Sequence, residues 1–193
     1  QGLTGTFSVI DCTLENIGSW AAMDTDSGGG IGDDGLVAFV FTGNTIRNND
    51  GAVSLRGADL ASAVTTTSAT VANNTVYNLN NNFGSANAWS GIELNTIDGT
   101  ATVTGNTFDE IDAASWGEGS GLQFWKISDL IVTGNTITNC SIGIDIAHQD
   151  AFPINAAING NVISGSAVHG LKTWASWTAG GSATTPIDAT MNY

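Results

Sequence analysis

The chain has 193 residues, 41% of them hydrophobic, which suits a single domain over 1–193 with a slim core. It contains no apolar run of the roughly 18 residues that a membrane-spanning helix needs. Eighteen acidic against four basic residues give a net charge of −14, which repels nucleic acid and anionic lipid and excludes both as partners.

In chain order, the first element is Val9-Ile10-Asp11-Cys12-Thr13-Leu14, a degenerate copy of a repeat that recurs along the chain. Next comes the low-complexity stretch Asp24 to Leu36, rich in Gly and Asp. The phrase Gly43-Asn44-Thr45-Ile46 then appears and returns as Asn73-Asn74-Thr75-Val76, Gly105-Asn106-Thr107-Phe108, Gly134-Asn135-Thr136-Ile137 and Gly160-Asn161-Val162-Ile163. The asparagines at 44, 74, 106, 135 and 161 lie 30, 32, 29 and 26 residues apart, a period of one supersecondary unit. After each phrase comes a strand opened by glycine: Gly51-Ala52-Val53-Ser54-Leu55, Gly91-Ile92-Glu93-Leu94, Gly121-Leu122-Gln123-Phe124, Gly143-Ile144-Asp145-Ile146 and Gly170-Leu171-Lys172-Thr173. Apolar and polar residues alternate in four of these five, the period of a strand with one buried face. The β-branched runs before each Asn, such as Leu130-Ile131-Val132-Thr133, also read as strands. A final degenerate copy is Ile187-Asp188-Ala189-Thr190-Met191-Asn192. No stretch has helical spacing.

Three short strands per repeat, with a bend at an Asn, describe one coil of a parallel solenoid. Stacking coils about 4.8 Å apart closes the backbone hydrogen bonds and makes one continuous core, with each Asn amide bonding to the next along a ladder. On these repeats, from Ser8 to Tyr193, the chain resembles the right-handed parallel β-helix repeat proteins of the pectate-lyase-like superfamily. The expected fold is therefore all-β, a right-handed parallel β-helix of about six coils without substantial helix. That architecture serves many functions, so activity has to come from a site.

Equivalent residues of successive coils stack, so Ser54, Glu93, Gln123, Asp145 and Lys172 are expected in one outward column. Glu93 and Asp145 are then two coils, about 9.6 Å, apart, at the outer edge of the spacing used by inverting glycoside hydrolases. The resemblance implies polysaccharide chemistry along such a face, which makes Glu93, Asp145 and Lys172 the catalytic candidates; a merely solvated face of mixed charge is the alternative. His169 could flank Asp145 as a base. Longer connections before Gly91 and Gly121 carry Trp89 and Trp116, and Trp125 comes two residues after Gln123. With Glu93 and Gln123 they form a candidate carbohydrate site, because flat rings pack on pyranose faces while polar groups bond hydroxyls.

Gly29 to Val37 matches one copy of a nonapeptide that binds Ca²⁺ in β-rolls, and Asp24, Asp26, Asp33 and Asp34 supply hard oxygens. Ca²⁺ is thus the one candidate cofactor, with a plain acidic loop as the alternative. The glycosylation patterns at Asn73 and Asn139 arise from the repeat itself. Cys12 and Cys140 fall about four coils apart, beyond the ~7 Å reach of a disulfide, and are both expected to be free, small buried residues.

The abundance of Gly, Asn, Thr and Ser with few Lys suggests an exported protein at the cell surface or outside the cell. The sequence shows no cap over either end coil, so it reads either as a segment of a longer surface protein or as a subunit docking head to tail into a filament. The expected role is an extracellular structural or adhesive scaffold. The alternative is a polysaccharide lyase or glycoside hydrolase.

Overall fold

The computed structural model describes residues 5–18, 21–25, 36–57, 66–79, 90–112, 119–146 and 155–173. These residues form sixteen strands and no helix. They build three walls. The wall before each bend consists of β1 (Gly5–Ile10), β4 (Leu36–Thr42), β7 (Ser68–Ala72), the second halves of β9 (Ser90–Thr104) and β11 (Ser120–Thr133), and β14 (Asn155–Asn159). The wall after the bend is a six-stranded sheet of β2 (Thr13–Glu15), β5 (Thr45–Asn49), β8 (Thr75–Leu79), β10 (Thr107–Ile111), β12 (Thr136–Thr138) and β15 (Val162–Ser164). The third wall holds β3 (Ala21–Asp24), β6 (Ala52–Arg56), the first halves of β9 and β11, β13 (Ile142–Ile146) and β16 (His169–Thr173). Every pairing between them is parallel, so the chain winds as a β-solenoid.

The repeated phrase arises from backbone conformation. The residue before each ladder position, whether Asp11, Gly43, Asn73, Gly105, Gly134 or Gly160, has φ between 53° and 68°, the left-handed region that Gly, Asn and Asp tolerate best. That turn points the next side chain inward. Asn106 shows the result: its Nδ2 donates to Asn135 Oδ1 at 2.8 Å and to the Val71 carbonyl at 3.0 Å, while its Oδ1 accepts from the Asn74 amide N–H at 2.9 Å and from Asn74 Nδ2 at 2.8 Å. Asn44, Asn74, Asn135 and Asn161 continue the ladder, with Nδ2 to Oδ1 distances of 2.8–3.0 Å. Cys12 takes the ladder place in the first level, its N–H donating to Asn44 Oδ1.

The glycines that open the third wall mark a close approach. A Cβ on Gly121 would lie 2.7 Å from Ile137 Cγ2 and 2.9 Å from the Gly143 carbonyl, and one on Gly143 would lie 2.4 Å from the Gly170 carbonyl. Inward residues of all three walls form one core, among them Phe41, Ile46, Val53, Val71, Leu94, Phe108, Phe124 and Ile144.

Three expectations need correction. The sequence count of about six coils includes both end levels, whereas about four turns are completed. The inward residues of the end levels, Phe7, Val9, Leu14 and Met23 at one end and Ile163 and Leu171 at the other, are only partly buried. The strands are not all short: β9 has 15 residues and β11 has 14, because the chain turns within them at Thr96 (φ 58°) and Lys126 (φ 51°) without a loop. Both cysteines are free as expected, but Cys12 is exposed, since it sits on the half-open first level; Cys140 alone is buried. Burial pushes the Cys140 thiol up to about 12.

Candidate functional site

Parallel pairing in register brings the predicted column together. Asp24 lies beside Ser54, Ser54 beside Glu93, Glu93 beside Gln123, Gln123 beside Asp145 and Asp145 beside Lys172. The column faces away from the core, as the alternation requires. It does not, however, face open solvent: Ser54 is 2% exposed, Glu93 9%, Gln123 3% and Asp145 0%, and Lys172 is half-buried. The solvated face of mixed charge is thus replaced by a covered polar stack.

Inside that stack, charge and hydrogen bonding are matched locally. Arg56, two residues after Ser54 on β6, reaches Glu93 Oε1 with Nε at 3.3 Å. Asn95 Nδ2 donates to the same oxygen at 3.3 Å. Gln123 Nε2 donates to Asp145 Oδ2 at 3.3 Å, and Lys172 stands at the next register position. A carboxylate kept from water has to find such partners, because an uncompensated buried charge costs several kcal/mol. Ser54 Oγ is buried without a hydrogen-bond partner. Sequence reasoning missed Arg56; its signal was a cation two residues beyond a column position, on the same outward face of the strand.

The remaining candidates separate. Trp125 lies on β11 opposite Asn95 and is half-buried, so it belongs to a strand and not to a loop. Trp89 and Trp116 lie outside the described residues, as do Asp26, Asp33 and Asp34; Asp24 is placed by its backbone on β3. Among the described residues no group of three or more His, Cys, Asp or Glu side chains gathers as metal ligands would. His169 is exposed and pairs in register with Ile142, one strand from Asp145 and three residues away along it.

A second set of bends was also missed. Asn16, Asn48, Asn78, Glu110 and Asn139 all have positive φ, each four residues after a ladder position. The recurrence of Asn at that offset was the available signal. Here Asn78 Nδ2 donates to Asn48 Oδ1 at 2.7 Å and Asn139 Nδ2 to Asp109 Oδ1 at 2.8 Å.

A family model described as a right handed beta helix region matches residues 3–181. The chain belongs to that right-handed β-helix family. Comparison with curated proteins and with solved structures returned no match. Membership fixes the winding and the fold; the chemistry of the column rests on the residues described above.

Proposed function

We propose that this β-helix is an extracellular structural or adhesive scaffold whose coils are continued end to end by further coils. The observation that carries the reading is the ladder. One hydrogen-bonded line runs from Cys12 to Asn161, and its spacing and direction are the same at every level. A device of this kind stiffens the long axis and supplies a ready template for one more level. Among the described residues β1, β2 and β3 each pair on one side only, and the inward side chains of that level are partly buried. Stacking another coil there satisfies backbone groups and buries apolar surface together.

The competing reading, a polysaccharide lyase or hydrolase using Glu93, Asp145 and Lys172, is favoured by the register that aligns them. Burial weighs against it. Asp145 has no exposed surface, so in this arrangement it offers no atom to a polymer. Carbohydrate contact through Trp89, Trp116 and Trp125 fits an adhesive role without catalysis.

Electron microscopy and light scattering of the purified chain test the assignment. A scaffold forms elongated, end-to-end particles that grow as salt screens the net charge of −14, or as Ca²⁺ binds the acidic loop. Particles that stay monomeric in all these conditions, together with release of sugars from a polysaccharide that is lost in E93Q and D145N, would establish the enzyme instead.

A further inference from the structure

The two glycosylation patterns, Asn73-Asn74-Thr75 and Asn139-Cys140-Ser141, sit at left-handed bends of different corners, and the fold treats them in opposite ways. Transfer of an N-linked glycan needs two side chains at once, the Asn amide nitrogen that takes the sugar and the hydroxyl two residues further on. The first pattern presents both groups, and the second withdraws both.

Asn73 and Thr75 are exposed, while Asn74 between them is buried in the ladder. Packing sets the direction of the Asn73 amide. A Cβ on Gly105, in the next coil, would lie 2.7 Å from Asn73 Oδ1 and 3.8 Å from Asn73 Cγ, with no other Asn73 atom within 4 Å. The oxygen thus rests on the backbone of that coil and Nδ2 is turned away from it. Neither the Asn73 amide nitrogen nor the Thr75 hydroxyl has a hydrogen-bond partner among the described residues.

There is also room for a bulky group. On the other coils the same bend is made by Gly43, Gly105, Gly134 and Gly160, which carry no side chain; Asp11, two coils away, is the one other side chain in that column. The register neighbours of Thr75 are the small residues Thr45 and Thr107.

The second pattern lacks these features. Asn139 Nδ2 already donates to Asp109 Oδ1 at 2.8 Å, and the neighbouring coil puts the exposed Glu110 at the equivalent bend. Ser141 is 7% exposed, and its Oγ donates to Asp112 Oδ1 at 3.0 Å. A hydroxyl that is buried and already donating is not available to a transferase.

We propose that Asn73 is the acceptor of an N-linked glycan and that Asn139 is not. The donor class is an oligosaccharide carried on a lipid diphosphate. A bond forms between Asn73 Nδ2 and the anomeric carbon, the bond from that carbon to the diphosphate oxygen breaks, the lipid diphosphate leaves with the electron pair, and the displaced amide proton passes to a base of the transferase. The assignment rests on the extracellular reading above, since such donors serve exported chains. From its corner in the third coil the glycan projects sideways, so it leaves both ends of the solenoid clear for stacking.

The test expresses the full chain behind an export signal in secreting eukaryotic cells, which separates acceptor competence from the chain's own route. Intact mass should show one glycan, removed by peptide N-glycosidase, and peptide mass spectrometry should place it on Asn73. N73G, which installs the residue that other coils use at this bend, and T75A should each lose the glycan completely, whereas T75S and N139G should keep it. Circular dichroism checks that each variant is folded, and because N73G and T75A remove different halves of the acceptor, either one alone suffices. Absence of a glycan, a glycan on Asn139, or one that persists in N73G or T75A would overturn the assignment. A glycosylated chain that never stacks would support this site while refuting the scaffold.

Discussion

Removing one ladder asparagine is the most direct test of what holds the coils together. Asn106 is fully enclosed and makes four hydrogen bonds, two as donor and two as acceptor. In N106A the Asn74 amide N–H and the Val71 carbonyl lose these partners inside the core, while Asn74 Nδ2 keeps its bond to the Phe41 carbonyl and Asn135 Oδ1 keeps the Asn106 N–H. Two newly unsatisfied buried groups at about 1–3 kcal/mol each, plus a small cavity, amount to about 3–5 kcal/mol. For a chain of this size that lowers the melting temperature by roughly 10 °C. Urea unfolding followed by circular dichroism measures it, with T107A, one residue along and exposed, as a control expected within about 0.5 kcal/mol of wild type. Equal stabilities for N106A and T107A would show that the ladder is decorative and that packing alone sets the register.

Glycine spacing makes a second contrast: G121A should cost about 1–3 kcal/mol by thermal unfolding, since its new methyl meets Ile137 and the Gly143 backbone, whereas G170A, 3.6 Å from its nearest neighbour, should be close to neutral. Thiol labelling of the folded chain should modify Cys12 at once and Cys140 only after unfolding. Because burial raises the folded Cys140 thiol from 9.0 to about 12, the folded state holds its proton where the unfolded state has lost it. Stability should therefore be intact below about pH 9 and fall as pH rises from there toward 12, and C140A should flatten that slope. The Arg47 guanidinium bonds Tyr77 and Glu15, at 3.2 and 2.6 Å, yet R47A should leave the urea midpoint almost unchanged, because water and salt screen a pair so near the surface.

Much of this molecule is local and so was legible in the sequence. A left-handed residue followed by an inward Asn is a requirement of each bend, and selection for it writes Gly-Asn-Thr into coil after coil; period-two alternation likewise names the inward residues Ile92, Leu94, Leu122 and Phe124. Stacking by parallel register then places Glu93, Gln123 and Asp145 in one column by arithmetic alone. Tertiary structure decided that the column is enclosed, because alternation reports which way a side chain points and not whether water reaches it; the burial of Glu93, Gln123 and Asp145, and the pairing of Arg56 with Glu93, cannot be read from any one strand. It also decided the loopless turns at Thr96 and Lys126, where non-glycine residues take positive φ under the constraint of neighbouring coils.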